Sequence, residues 1–308
     1  MYHSHLLINV GDNPDRPDWN ITRKWLRNLY RVHQRLCMAF PSNAPVSQAE
    51  RVVAYCAPFG SAGLNDLREL PSEPNASDVH CARSDKAGFL FRIDYPAYDI
   101  VDGKATSRSG HPRRRPIILV QSSHEAAPDW NLAFGLDENA IDDLGRPIGN
   151  ASYLLAAPPQ TKEICIEIKD ETLLLACPTR PEQDFSIRSG DLVRFRLRAN
   201  PTRTIQEGSP NGKRKRISPT LDKHADWLAG KLGNACISPI CIETFVPGWA
   251  YGWRTKHEPQ PGQRMQWWSV LFEGIFRVGD VNTLKKLLES GIGSAKAFGF
   301  GLLSLAPV

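Results

Sequence analysis

The hydrophobic positions follow two rhythms along the chain. Leu6-Leu7-Ile8-Asn9-Val10 predicts a first strand. After Pro14 and Pro17 the repeat lengthens. Trp25, Leu26, Leu29, Val32, Leu36 and Phe40 recur at helical spacing, which predicts one helix from Trp19 to about Phe40, stopped by Phe40-Pro41. Phe89–Asp94 and Ile117–Ser122 read as strands. From Leu192 to Arg198 the alternation is sharp, with Val193, Phe195 and Leu197 on one face and Arg194, Arg196 and Arg198 on the other. A helix is predicted over Asp222–Leu232 and strands over Ile237–Val246 and Gln266–Val278. In the last of these Val270, Phe272, Phe276 and Val278 share a face. Asp280 is placed as an N-cap for a helix carrying Val281, Leu284, Leu287 and Leu288, and Gly291 is placed to end it. A glycine-rich loop then feeds a final strand reaching Leu305.

Two passes through strand–helix–strand–strand–helix–strand predict an α+β chain of two tandem ferredoxin-like (RRM-like) domains, 1–203 and 217–308. With these bounds the arginine strand falls at the end of the first. Three stretches fall outside the pattern and read as insertions: 41–87, 97–115 and 135–188. The first is rich in Ser, Pro, Asn and Ala, and the second ends in Arg113-Arg114-Arg115. Within the third, Glu163–Lys169 and Thr172–Cys177 read as a two-stranded excursion turned by Asp170-Glu171.

A length of 308 residues with 41% hydrophobic content allows one large or two ordinary domains with packed cores. Seven cysteines without a Cys-x-x-Cys pair read as reduced thiols of a cytoplasmic protein, not as a disulfide frame or a zinc site. The N-terminal residues lack the pattern of a signal peptide, and no run of about eighteen apolar residues spans a membrane. The chain has no carboxylate cluster and no Cys or His ligand spacing, which fits a chemistry without metal or cofactor.

Net charge is only +5, but the cations cluster. The arginine face of 194–198 fits either a solvated edge strand or a sheet surface tracking a phosphate backbone. Lys213-Arg214-Lys215-Arg216, the densest run, is by itself a solvated loop; coming soon after the arginine strand and before Ser218-Pro219, it reads as a loop gripping RNA. Trp249, Tyr251, Trp253, Trp267 and Trp268 suit base stacking or core packing. Gly291, Gly293, Gly299 and Gly301 with Lys296 form either a tight turn before a buried strand or a loop whose amides approach a phosphate. Tyr30 and His33 are neighbours three residues apart on the first helix. The histidine lies on that helix's apolar stripe, where a core residue and a catalyst look alike.

The segment from Gly291 to Pro307, Gly-Ile-Gly-x-Ala-Lys-x-x-Gly-x-Gly-Leu-Leu-Ser-Leu-Ala-Pro, resembles the C-terminal signature of CRISPR repeat-processing endoribonucleases, specifically the type I-E branch called CasE. Leu29-Tyr30-Arg31-Val32-His33-Gln34 with Phe40-Pro41 is similar to the N-terminal motif of that family. Phe195-Arg196-Leu197-Arg198-Ala199-Asn200-Pro201 and Pro128-Asp129-Trp130 also look family-like. The resemblance covers about 1–40, 88–94, 116–130, 190–246 and 266–308, and leaves the insertions uncovered.

What the resemblance implies is metal-independent cleavage of CRISPR precursor RNA at the 3′ base of the repeat stem-loop, leaving a 2′,3′-cyclic phosphate. His33 would be the general acid/base and Tyr30 would position the ribose or phosphate. Arg194, Arg196, Arg198 and Lys213–Arg216 would grip the stem, and Lys296 with the Gly291–Gly301 loop would shape the RNA path. The protein would stay on the mature guide RNA hairpin as a Cascade subunit beside the backbone subunits, meeting target DNA only through that complex. The alternative is a non-catalytic subunit that caps the guide hairpin.

Overall fold

The computed structural model describes residues 1–11, 19–37, 39–40, 88–95, 99–101, 104–106, 115–123, 127–135, 151–206, 214–253 and 264–308. The insertion expected at 41–87 lies outside them. Two compact units make up the chain: Tyr2–Gly88 with Ile93–Thr161, and Met1 with Phe89–Arg92 and Lys162–Val308.

Along the chain come β1 (Tyr2–Leu7), α1 (Trp19–Arg27), α2 (Leu29–Cys37), β2 (Phe89–Asp94), a short hairpin β3 (Asp99–Val101) and β4 (Lys104–Thr106), β5 (Ile117–Ser122), α3 (Trp130–Phe134) and β6 (Gln160–Glu163); of these, Phe89–Arg92 in β2 and the end of β6 from Lys162 count with the second unit. The sheet order is β2-β5-β1-β6, and β1 runs antiparallel to β5 from Tyr2↔Ser122 to Leu7↔Ile117. Counting the four sheet strands in chain order, this is second, third, first, fourth, the ferredoxin-like arrangement. Leu6, Ile8, Val32, Leu36, Ile118 and Phe134 are fully buried. Trp130 is buried too, and its indole N–H donates to the Ser4 hydroxyl (3.1 Å) and the Thr161 hydroxyl (3.0 Å). That satisfies the one polar atom such a ring brings into a core.

The single helix predicted for 19–40 is two helices. Asn28 stands between them, and its carbonyl accepts from the amides of Arg31 (2.9 Å) and Val32 (3.1 Å). Asn competes with the helix backbone and favours helix starts over interiors, which explains the break.

The second unit contains β7 (Cys165–Lys169), β8 (Thr172–Ala176), β9 (Phe185–Arg188), β10 (Leu192–Ala199), β11 (Arg203–Gln206), β12 (Arg214–Ile217), α4 (His224–Leu232), β13 (Cys236–Trp253), β14 (Arg264–Val278), α5 (Val281–Ser290) and β15 (Leu303–Pro307). Its main sheet has the order β13-β14-β10-β15, again second, third, first, fourth. The apolar face read from sequence is real: Val193, Leu197, Val270, Phe272, Phe276 and Val278 join Leu228 of α4 and Leu284 of α5 in one core. Asp280 caps α5 as expected, accepting from the amides of Asn282 (3.2 Å) and Thr283 (2.9 Å).

Two expectations change here. The arginine strand β10 does not close the first domain. It opens the second sheet, paired antiparallel with β14 and β15. The fourth strand of the first sheet is β6, so a boundary near 203 does not match the division of the chain. β6 escaped notice because Gln160-Thr161-Lys162-Glu163 is polar throughout, while strand signals rest on apolar alternation.

The stretch 135–188 is likewise more than an insertion. The excursion has a third strand and the order β7-β8-β9, and its Leu173 and Ile187 join the core beside α5. The turn falls where predicted, with both Asp170 (φ 47°) and Glu171 (φ 58°) left-handed, as a two-residue hairpin turn of type I′ requires.

His224, at the start of α4, is fully buried with its ring edge-on to Phe272. Burial lowers its pKa from 6.5, against weaker opposing pulls from the Pro219 backbone and then the Asp222 carboxylate. The unfolded chain then holds more protons than the folded chain between the two values. Stability is therefore complete above about pH 6.5 and is lost as pH falls toward the folded value. Thermal unfolding at about pH 7 and about pH 5 checks this. The parent chain should lose melting temperature and His224→Gln should lose less; equal losses would sink the assignment.

Candidate nucleic-acid interface

In the first unit, α2 carries Tyr30 and His33. Nearly the whole helix is buried, and Tyr30 and His33 are 4% and 1% exposed. One turn on from His33, the Cys37 sulfur lies 3.5 Å from the ring Nε2 and 3.9 Å from Nδ1. The helix is held to α3 by Arg35, whose guanidinium donates to the Ala133 carbonyl at 2.8 Å. The apolar spacing that made His33 ambiguous thus reflects a helix packed on almost every side.

In the second unit, the three arginines of β10 do not share one environment. Arg194 is exposed. Arg196 is half exposed and ion-paired with Glu273, its cross-strand neighbour on β14. Arg198 is buried; its Nε donates to the Ser269 hydroxyl (2.8 Å) and its guanidinium lies 5.4 Å from the centre of the Phe300 ring. The uniform arginine face is corrected accordingly. Alternation aims all three side chains one way, but the glycine-rich segment covers only the end of the strand where Arg198 lies.

That loop is shaped by its own packing. Gly291, Gly293, Gly299 and Gly301 all have φ between 72° and 89°. A Cβ on Gly301 would stand 2.7 Å from the Ile292 carbonyl oxygen, and one on Gly299 would stand 2.9 Å from the Phe91 ring. Two of the amides expected to face a phosphate are engaged inside the fold: Gly291 N–H donates to Leu287 O (2.9 Å) and Gly301 N–H to Arg198 O (2.7 Å). Lys296 donates to the Ser290 carbonyl at 2.7 Å, at the C-terminal end of α5, where a cation is favoured. Burial, then the neighbouring charge of Lys231, lowers its pKa. The tight-turn reading of the glycines is therefore correct for their conformation.

Sequence reasoning missed two sets of supporting residues. Ser294 accepts from the Asn200 side chain (3.2 Å) and lies 3.2 Å from the Thr202 hydroxyl, pinning the loop to the segment after β10. Arg92 is buried, and one guanidinium nitrogen donates to Arg196 O, Leu302 O and the Ser304 hydroxyl at 3.0–3.1 Å. A charge inside the apolar run Phe89–Ile93 was the available signal.

Of the basic run, Lys213 lies outside the described residues and Arg214 is described in backbone only. Lys215 and Arg216 are exposed on β12, which pairs with β11 as a hairpin from Arg203↔Ile217 to Gln206↔Arg214. Arg214, Lys215 and Arg216 are thus on the outgoing strand of a hairpin. Among the described residues, no helix is long and apolar enough to cross a membrane, and no three His, Cys, Asp or Glu side chains are grouped to hold a metal.

A model of the CRISPR-associated protein family matches residues 149–307. The chain belongs to that family. The matched half holds the arginine strand, the basic hairpin and the glycine-rich loop, and does not include Tyr30 or His33. The CRISPR system Cascade subunit CasE of Escherichia coli is 36% identical over 132 residues, 41% of this chain and 63% of that protein. The CRISPR-associated endoribonuclease Cse3 of Thermus thermophilus is 29% identical over 202 residues, 62% of this chain and 74% of that protein. The match thus spans just under two thirds of the first relative's length. The structure of CRISPR endoribonuclease Cse3 bound to 19 nt RNA aligns over all of both chains with a TM-score of 0.52 at 22% identity, which supports the two-sheet α+β fold. The resemblance to CasE read from the motifs is shown by these relatives.

Proposed function

We propose that the protein is a CRISPR repeat-processing endoribonuclease that remains on its product as a cytoplasmic Cascade subunit. The observation that carries this is family membership together with relatives named as a Cascade subunit and as an endoribonuclease. In the reaction, the ribose 2′-oxygen at the 3′ base of the repeat stem attacks the adjacent phosphorus. The bond from phosphorus to the 5′-oxygen breaks, leaving a 2′,3′-cyclic phosphate and a 5′-hydroxyl. One proton leaves the 2′-hydroxyl and one reaches the 5′-oxygen. His33 carries out one of these transfers, and Tyr30 positions the ribose or phosphate. The nucleophile belongs to the substrate, so the step requires no metal.

An A-form stem is recognised through shape and backbone. Arg194, Lys215 and Arg216 are exposed and suited to phosphates, Arg214 stands on the same hairpin strand as the last two, and Lys213 precedes them in the sequence. Arg196 would exchange Glu273 for phosphate. Arg198, Lys296 and the four glycines act by holding the surface in shape. The mature guide hairpin and the Cascade backbone subunits are its partners, and target DNA is met only within the complex. The proposed role requires the buried His33 ring to be within reach of the RNA.

Incubating the host's repeat stem-loop with the protein in EDTA tests the activity. One cut at the stem base with a cyclic phosphate end is expected. No cut in EDTA, restored by magnesium, would overturn the metal-independent chemistry. The burial of His33 against Cys37 favours a second reading, a guide-capping subunit with a structural histidine; tight binding with no cut under either condition would establish it.

A further inference from the structure

Beyond Ser269 the ends of β13 and β14 form a two-stranded ribbon, and its two faces differ. The register is Trp249↔Trp268, Ala250↔Trp267, Tyr251↔Gln266, Gly252↔Met265 and Trp253↔Arg264. Side chains alternate across a ribbon, so Trp267 and Met265 share one face with Ala250 and Gly252. That face is anchored: Trp267 stacks on Phe298 of the glycine-rich loop with ring centres 4.4 Å apart, and lies 6.4 Å from Phe300. The opposite face carries Trp249, Tyr251, Trp253, Arg264, Gln266 and Trp268; it continues the face of β14 that holds Val270 and Phe272, and Trp268 is half-buried against that core. Trp249 is 49% exposed and meets Trp268 edge-on at 5.1 Å. The exposed Arg264 lays its guanidinium 3.4 Å from the centre of the Tyr251 ring.

We propose that this outer face is a stacking platform for unpaired nucleotides that flank the RNA stem. The inference rests on the RNA-binding reading above and adds a site to it. A row of aromatic planes with one planar cation offers each base a π surface and the backbone a charge, the pattern of single-strand recognition. Bases inside a stem are already stacked on one another, so the ligand is single-stranded. A protein-docking core would carry aliphatic side chains as well, and among the described residues of the ribbon, 249–253 and 264–268, this face shows none. Trp267, on the opposite face, ties the ribbon to the glycine-rich loop and so fixes its place beside that loop.

The test measures Kd for two RNAs with the full chain: the host repeat stem-loop alone, and the same stem-loop with about eight unpaired nucleotides added at either end. The flanked RNA should bind about tenfold tighter. Trp249→Ala should abolish that increment while leaving the bare stem-loop unchanged, and Trp249→Phe should retain most of it. Ultraviolet crosslinking of the unaltered chain, mapped by mass spectrometry, should place the flank on the peptides containing 249–253 and 264–268. The platform is overturned if the flank adds no affinity, if Trp249→Ala weakens both RNAs equally, or if the flank crosslinks elsewhere. In those outcomes the stem-loop still binds, and the face is left to a protein partner or to the fold. If the unaltered chain binds neither RNA, the RNA-binding reading fails and the platform fails with it.

Discussion

His33→Ala is expected to bind the repeat stem-loop with nearly unchanged affinity and to cut it about 10²–10⁴-fold more slowly. The size follows from the proposed role. A group that moves a proton in the transition state contributes to rate and little to ground-state binding, so its loss appears in the cleavage step alone. The surroundings of His33 make the outcome informative. The ring is 1% exposed and lies against Cys37 on a helix buried nearly throughout. Were His33 only a core residue, removing it would leave a cavity and destabilise the chain by about 2–5 kcal/mol, with binding and cutting falling together as folded protein is lost. Single-turnover cleavage, filter binding and a melting curve on one preparation separate the cases. His33→Gln, which keeps most of the volume without the titratable group, should cut as poorly as His33→Ala while melting closer to the parent chain. Restored cutting in His33→Gln would remove His33 from the chemistry.

Gly274→Ala is expected to be the most damaging single change in the second unit, costing about 3 kcal/mol or more. Gly274 is in the middle of β14, paired with Phe195 of β10 on one side and Ile242 of β13 on the other. An added Cβ would stand 2.0 Å from the Cys241 carbonyl oxygen, 2.9 Å from its carbon and 3.1 Å from the Phe195 ring. Two of those three atoms are backbone and cannot turn aside as a flexible side chain would. The register of β13 already shifts between Pro239 and Cys241, which brings that carbonyl over Gly274. Relief would require β13 to move off β14 and take the aromatic ribbon with it. A fall of roughly 10 °C in melting temperature is expected. Gly230→Ala is the control: it is a helix-interior glycine of α4 with nothing within 4 Å, and alanine there should stabilise by about 0.5–1 kcal/mol. Equal melting of the two variants would show that β13 yields freely at Cys241.

Local sequence fixed each element whose signal is carried by its own residues. The alternation of β10 set its two faces, Asp280 and Gly291 bounded α5, and Asp170-Glu171 marked the hairpin turn. The motifs at 29–41, 195–201 and 291–307 were enough to find the family, because they depend on residue identity and not on burial.

Tertiary structure decided which faces are covered, and with that which candidate residues meet solvent. Arg194 and Arg198 are equivalent in the strand pattern, yet one is exposed and the other is held between Ser269 and Phe300, residues about seventy and one hundred positions away. The polar strand β6 has no period to announce it; pairing in the sheet places it and moves the domain boundary. The glycines of the loop could be foreseen as glycines, but not that Leu287 and Arg198 already occupy the amide groups of Gly291 and Gly301. A strand's own residues determine its shape and which way its side chains point. Burial, pairing and hydrogen-bond saturation are set by partners distant in the chain, and these decide what a side chain is left to do.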